Sequence, residues 1–268
     1  MEKEQNVQPL ISVIMPAHNA EKYITVAMES VFRQKGDFAI ELYVVNDAST
    51  DNTERVVKDW LDAYKNRKEI SKDCCNCELI YLKNEHNIGV AETRNRAIRL
   101  AGGGYIAFLD ADDWWQEDKL LRQMALIREK NAILCATGRE LMRADGGSLG
   151  RVIGIPQEIT YEMLLRTNCI PCSAAVIRTE VAREFYMQHA ELHEDYILWL
   201  RVLKKYGRAY GLDEPMLKSR MSEAGKSRNK LKSARMQFGV YRYLGFGIFK
   251  SLFYFVQYAV NGVKKYSK

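Results

Sequence analysis

Tyr105-Ile106-Ala107-Phe108-Leu109 runs straight into Asp110-Ala111-Asp112-Asp113-Trp114-Trp115. The apolar run, preceded by Gly102-Gly103-Gly104, reads as a short buried strand. Three carboxylates at its end cannot all enter a dry core, because unpaired buried charge is very costly. They belong at the carboxyl edge of a sheet, where open α/β sheets bind their ligands. Asp110 and Asp112, separated by one residue on a chain leaving a strand, suit a hard divalent cation. Mg²⁺ or Mn²⁺ takes one or two protein carboxylates and leaves its other positions to water and phosphate oxygens. The stretch points to chemistry on a nucleotide diphosphate. A solvated acidic turn is the plainer alternative that a short motif leaves open.

Upstream, strand and helix alternate. Leu10 to Met15 is a first strand stopped by Pro16, and Asn19 is placed to cap a helix bearing Tyr23, Ala27 and Val31. Ile40 to Val45 is a second strand ending at Asn46-Asp47. Ser49-Thr50-Asp51 then offers caps for a helix through Val56, Trp60 and Tyr64. Leu79 to Leu82 makes a third strand, and Gly89 opens a helix to about Leu100. This alternation predicts a mostly parallel sheet flanked by helices. Right-handed crossovers would bring Pro16 to Asn19, Asp47, Asn87 to Gly89 and Asp110 to Asp113 to one crevice. Downstream, a helix over about 116–130, strands near 133–137 and 174–177, and a helix from Glu194 to Tyr206 stopped by Gly207 are expected. One long aromatic helix from about Leu231 closes the chain.

The net charge of +6 is unevenly spread. Lys218 to Lys268 holds twelve Lys and Arg against the single acid Glu223, leaving the remainder at −5. A basic tail on an acidic body implies an anionic partner for the tail. The polar start, Met1 to Asn6, reads as neither signal peptide nor anchor, which predicts a cytosolic protein. Cys74, Cys75 and Cys77 crowd one loop, and Cys169 and Cys172 form a lone Cys-x-x-Cys. Neither has the paired spacing of a structural zinc site, so reduced thiols are expected.

Each site residue has a plain reading beside the functional one. Asp47 could accept hydrogen bonds from a base or ribose hydroxyl, or merely cap the next helix. Arg94, one to two turns into the helix opened by Gly89, could fork onto a diphosphate or sit solvated beside Arg96 and Arg99. Taken together they are more specific. Pro16-Ala17-His18-Asn19-Ala20-Glu21 and Val44-Val45-Asn46-Asp47-Ala48-Ser49-Thr50-Asp51 resemble the opening motifs of glycosyltransferase family 2. Asn87-Ile88-Gly89 leading to Arg94-Asn95 is similar to that family's Asn-x-Gly and Ala-Arg-Asn signature. Phe108-Leu109-Asp110-Ala111-Asp112-Asp113 looks like its metal-binding segment, and His193-Glu194-Asp195-Tyr196 with Trp199-Leu200-Arg201 like its Glu-Asp motif. The likeness spans Ile11 to about Tyr206. His18 stands for the usual Tyr, Asn46 for a frequent second Asp, Ala48 for a common Gly, and Glu92-Thr93 for small residues.

The resemblance implies a GT-A nucleotide-sugar fold and an inverting transfer of one sugar, from a UDP-hexose or UDP-N-acetylhexosamine to a lipid-linked saccharide in surface-polysaccharide synthesis. It assigns nucleotide-sugar binding to Pro16, Ala17, Asn19, Glu21, Asp47, Asn87, Gly89, Arg94, Asp110 and Ala111. It assigns Mn²⁺ or Mg²⁺ to Asp110 and Asp112, and the acceptor side to Glu194 and Trp199. Asp195 is the expected base, its charged form favoured by the start of its helix. Residues 1–222 would form the catalytic domain, with the nucleotide-sugar half at about 10–115 and the acceptor half at about 116–222. Residues 223–268 would form an amphipathic helical tail lying on an anionic membrane surface, with a core-packed helix and a true span as the alternatives. Rivals remain. A glycoside hydrolase needs neither metal nor nucleotide. A sugar nucleotidyltransferase would want a glycine-rich loop where Pro16-Ala17-His18-Asn19 stands. A nucleic-acid module could use the tail, but the acidic body would repel a polyanion, and no nucleic-acid partner is expected.

Overall fold

β1 (Leu10–Ala17), α1 (Ile24–Phe32), β2 (Ala39–Asn46), α2 (Thr53–Lys65), β3 (Asn76–Lys83), α3 (Val90–Leu100) and β4 (Tyr105–Phe108) alternate along the first half of the chain. The computed structural model describes residues 8–66, 76–189, 191–221 and 230–267. The four strands run parallel in the order β3-β2-β1-β4, so their carboxyl ends share one edge. Ile14, Val44, Ala107 and Phe108 are fully buried between the helical layers. The chain enters β4 through Gly103, where a Cβ would come within 2.7 Å of the Leu10 carbonyl oxygen.

Two expectations for the first strand need correction. Pro16 lies inside β1 rather than ending it. The Ala17 carbonyl faces β2 and accepts from the Asp47 amide (2.8 Å), so the Pro16 nitrogen faces the other way, toward β4. Pairing with β4 stops at Ile14 opposite Phe108, and no ladder donor is lost. Asn19 does not cap α1, which starts five residues later behind Tyr23 with no side-chain cap. Asn19 instead adopts a left-handed conformation (φ 52°). Its carboxamide oxygen accepts from the Thr50 amide (2.8 Å). The caps expected for α2 reduce to Asp51, which accepts from the Thr53 amide and hydroxyl.

The second half holds β5 (Trp114–Trp115), α4 (Lys119–Lys130), β6 (Leu134–Met142), β7 (Ser148–Ile153), β8 (Glu158–Thr160), α5 (Tyr161–Arg166), β9 (Val176–Arg178), α6 (Thr179–Phe185), α7 (Glu194–Tyr206) and β10 (Arg208–Arg220). These strands extend the sheet as β4-β9-β6-β10-β5, with β7 on β6 and β8 on β10. β9 is antiparallel to both its neighbours, so the sheet is parallel in its first half and mixed in its second.

The chain closes with two helices, α8 (Lys230–Tyr243) and α9 (Ile248–Ser267), rather than one. Gly245, at φ 81°, turns the chain between them. Both pack on the body of the protein, against α5. The Tyr241 hydroxyl donates to the Leu165 carbonyl (2.8 Å) and the Tyr254 hydroxyl to Glu162 (2.9 Å). Val240, Tyr241, Ser251 and Tyr254 are buried. Among the described residues no helix is long and apolar enough to cross a membrane. The expected boundary at 222/223, Lys226, Arg228, Cys74 and Cys75 lie outside the described residues.

Lys119 is fully buried at the start of α4. Its amine donates to Gln123 (2.7 Å) and lies 3.9 Å from the centre of a Trp115 ring. Burial pushes its pKa down to about 7. Below that pH the amine is charged in both states and the full cost of burying it is felt. As pH rises toward the unfolded value of about 10.4, the unfolded chain binds the extra proton and the cost fades. Lys119→Met should therefore stabilise the protein by about 1–4 kcal/mol at pH 7. Urea denaturation at pH 7 and pH 9.5 checks this, with a smaller gain expected at the higher pH.

Candidate active site

The carboxyl ends of β1, β2 and β4 and the start of α3 enclose a cleft of about 710 Å³. Pro16, Ala17 and Asn19 line it from β1, Asp47 from β2, Asn87, Gly89 and Arg94 from the third connection, and Asp110, Ala111 and Asp112 from β4. All ten come to one crevice because a parallel sheet aligns its strand ends. Glu21 does not. Its carboxylate turns outward to accept from the Asn52 amide (2.8 Å) and side chain (2.9 Å), bracing the loop behind the cleft.

Asp47 spends its carboxylate on the protein. Oδ1 accepts from the Ile88 amide (2.9 Å) and Asn84 (2.8 Å), and Oδ2 accepts from the Gly89 amide (3.0 Å). It thus holds the approach to α3, where Gly89 takes φ 83°. It caps neither the next helix nor open solvent. His18 Nδ1 lies 2.8 Å from the Asp47 carbonyl oxygen, which can only accept, so Nδ1 carries the proton.

Arg94 is buried and bridges two carboxylates. It donates to Asp110 (2.5 Å) and to Glu194 (3.1 Å), tying the end of β4 to the start of α7. These three side chains form a wall shared by the cleft and a second, polar chamber of about 310 Å³. Asp195, His193, Asn168, Arg139 and Tyr258 line only the chamber. Asp195 Oδ1 accepts from the Tyr196 amide (2.7 Å). Burial first, and then the charge of Glu194, push the Asp195 carboxyl up to about 6 against the pull of Arg94. The helix start does not win: desolvation outweighs the dipole, and the base-competent form prevails only above that pH. Trp199, expected on the acceptor side, is fully buried and lines neither cavity. It packs edge-on against Phe108 (6.0 Å) in the core.

The acidic turn carries more negative charge than its surroundings neutralise. Burial and then Asp110 push Asp112 up to about 6, while burial and both neighbouring carboxylates push Asp113 up to about 8. Asp113 faces inward and accepts from the Arg220 amide (2.8 Å). Asp110 and Asp112 face the cleft. Asp112, together with Asp110 whose Oδ1 is already paired with Arg94, gives two cleft-facing carboxylates that fit a divalent cation keeping most of its positions for water and phosphate. Among the described residues no group of three or more His, Cys, Asp or Glu side chains is placed to hold a metal ion. Cys172 is buried beside Arg94, and burial raises its thiol well above the ordinary range, which keeps it protonated.

Arg220, Tyr23 and Tyr258 escaped the sequence reading. Arg220 donates from Nε to the Asp112 carbonyl (2.9 Å). Its guanidinium lies between the rings of Tyr23 (4.5 Å) and Trp114 (4.8 Å). Tyr23 lines the cleft instead of a helix face. No local pattern announces any of the three.

The family model described as Glycosyl transferase family 2 matches residues 12–185. TuaG of Bacillus subtilis (strain 168), a glycosyltransferase named for teichuronic acid biosynthesis, is 36% identical over 261 residues, covering 97% of this chain and 98% of TuaG. WfgD of Escherichia coli, named a UDP-Glc:alpha-D-GlcNAc-diphosphoundecaprenol beta-1,3-glucosyltransferase, is 32% identical over 96% of this chain and 95% of its own. Among solved structures, S. aureus TarS 1-349 in complex with UDP-GlcNAc aligns with a TM-score of 0.65 at 24% identity, over 87% of this chain and 64% of TarS 1-349. The mannosyltransferase PcManGT of Pyrobaculum calidifontis, in complex with GDP-Man and Mn²⁺, aligns at 0.66 and 17% identity over 90% of this chain and 66% of its own. The fold is that of the GT-A glycosyltransferases.

Removing one partner of a buried ion pair leaves the other charge uncompensated. Arg94→Gln should cost about 3 kcal/mol by urea unfolding, at the low end of the usual range because Asp110 is partly open to the cleft. The double variant Arg94→Gln/Glu194→Gln should recover part of that loss.

Proposed function

The chain belongs to glycosyl transferase family 2, and from that premise we propose that it transfers one sugar, with inversion, from a UDP-hexose or UDP-N-acetylhexosamine to a hydroxyl of a lipid-linked saccharide in surface-polysaccharide synthesis. Its membership makes it a glycosyltransferase. One observation carries the finer reading: the cleft and the Asp195 chamber share the Arg94-Asp110-Glu194 wall. A hydroxyl held in the chamber would meet an anomeric carbon presented at the wall from the side away from its diphosphate. The donor class and the lipid diphosphate draw support from WfgD, named for UDP-Glc and a diphosphoundecaprenol-linked GlcNAc, and the donor class also from the UDP-GlcNAc complex of TarS.

In this reaction the acceptor oxygen bonds to the anomeric carbon as the bond from that carbon to the diphosphate oxygen breaks. The electron pair leaves with the nucleoside diphosphate. Asp195 takes the hydroxyl proton; a carboxyl tuned to about 6 is a competent base near neutral pH. Arg94 ties Asp110 to Glu194 in the wall and lends positive charge beside the departing diphosphate. Asp110 and Asp112 would hold Mn²⁺ or Mg²⁺, which when bound supplies charge against the diphosphate oxygens. Pro16, Ala17, Asn19, Asn87 and Ala111 shape the nucleotide cleft, and Asp47 keeps the Asn87-Gly89 loop against it. The basic C-terminal segment would hold the enzyme peripherally on the anionic, cytoplasmic face of a membrane.

Asp195→Asn should lower turnover by at least 10³-fold while leaving donor affinity within a few-fold, since it removes a base and no donor contact. Calorimetry with UDP and single-turnover transfer separate the two effects. Wild-type turnover should rise as pH passes through about 6, the direction expected of a base that must lose its proton. A variant retaining most activity would move the base to Glu194.

EDTA should abolish transfer and Mn²⁺ or Mg²⁺ restore it, and Asp112→Ala should weaken both UDP binding and turnover. Full turnover in chelator would remove the metal from the reaction.

A further inference from the structure

Helix α9 packs one face against the protein and leaves the opposite, apolar face exposed. Its inner face carries Ser251 and Tyr254, both buried, and Tyr258, which lines the Asp195 chamber. Its outer face carries Phe249, Leu252, Phe253, Val256, Val260 and Val263, all exposed, Phe249 by 90%. At about 100° per residue these six fall within roughly 100° of one another, and Tyr258 stands almost opposite their centre. The stripe runs about 21 Å along the helix. Soluble proteins rarely leave so continuous an apolar strip to water.

Charge decides what covers it. Residues 218–268 carry twelve Lys and Arg against one acid, on a body that is otherwise net negative. Arg235, Arg242 and Lys250 are exposed on α8 and α9. A second copy meeting the stripe about a two-fold axis would set this positive segment against itself. A bilayer with anionic headgroups offers apolar depth and the opposite charge together.

We propose that the outer face of α9 docks on an anionic bilayer while its inner face remains a wall of the Asp195 chamber. The helix then acts as a spacer, and the chamber stands about one helix diameter, roughly 10–12 Å, from the apolar layer. This rests on the assignment of the chamber to the acceptor and narrows the acceptor class. The reacting hydroxyl must be carried that far from its lipid chain by a polar link, as a diphosphate does for the sugar it bears. A sugar joined directly to the lipid falls short.

Sedimentation of the full chain with vesicles of phosphatidylglycerol and phosphatidylethanolamine, against phosphatidylcholine alone, is the first test. The wild type should pellet with the anionic vesicles, and Phe249→Glu with Phe253→Glu should weaken binding at least tenfold while leaving the exposed fold intact. Brominated lipids give the orientation. Fluorescence gained in Val256→Trp should be strongly quenched and that in Tyr258→Trp weakly. Absence of pelleting, an unaffected double variant or equal quenching overturns the proposal. So does a stable wild-type dimer that the double variant dissociates, which would give the stripe to a second copy. Equal transfer to one sugar joined to a polyprenol directly and through a diphosphate would refute the spacing. The vesicle and quenching arms do not read sugar transfer, so their failure is distinct from failure of the glycosyltransfer reading.

Discussion

The guanidinium of Arg94 is the constraint on which the site depends. It lies in the interior and reaches two carboxylates from opposite halves of the chain, Asp110 at the end of β4 and Glu194 at the start of α7. Without a cation between them these acids would repel across a poorly solvated gap, and neither the end of β4 nor the start of α7 could keep its place. The same charge acts on Asp195. Burial and Glu194 drive that carboxyl up and Arg94 draws it down, and the balance falls at about 6. One buried cation thus fixes the wall between two cavities and tempers the proton affinity of the group proposed as base.

Polar side chains that bind backbone amides hold the rest of the cleft. Asp47 takes the amides of Ile88 and Gly89, Asn19 takes that of Thr50, and Glu21 takes that of Asn52. Each clamps one connection at the sheet edge to another. Loops tied in this way meet a ligand with little ordering left to do. It also explains why residues that read as ligand contacts can serve the cleft without facing it, as Glu21 does.

The carboxyl edge was legible in the sequence because a parallel sheet imposes a simple grammar. Each buried run must end where polar and glycine residues take over, and every such end lies on the same side. Asn87-Ile88-Gly89 and Asp110-Ala111-Asp112 could therefore be brought together without coordinates. Other features depend on facts that no local pattern holds. Whether Pro16 breaks β1 turns on which neighbour its nitrogen faces. Trp199 sits on a helix apolar nearly all round, so its place in a motif could not separate a pocket wall from the core. Asp195 was read from its helix start, whereas its environment is set by Glu194, Arg94 and loss of water. Arg220 reaches Asp112 across 108 residues of chain, and Tyr258 reaches the Asp195 chamber from the distant last helix, each as a single side chain.

The tail carries a different lesson. Read along the sequence, a helix packed on the core and a helix lying on a membrane look like competing alternatives, because each needs one apolar face. α9 packs one face and leaves an apolar one exposed. Its inner face is sealed by Tyr254 on Glu162 and by the neighbouring Tyr241 on Leu165, so it belongs to the core of the catalytic unit. Its outer face remains apolar in spite of that packing. Truncation after Ser222 would therefore expose Val240, Tyr241 and Tyr254 partners along with removing the stripe, and a loss of activity could be read as unfolding. The exposed stripe cannot be detached from the fold that presents it. If the outer face enters lipid, burial of the stripe and burial of the core face act on the same helix. Membrane binding would then stabilise the wall of the chamber as well as locate the enzyme, because a ligand that binds only the folded state shifts the folding equilibrium toward it.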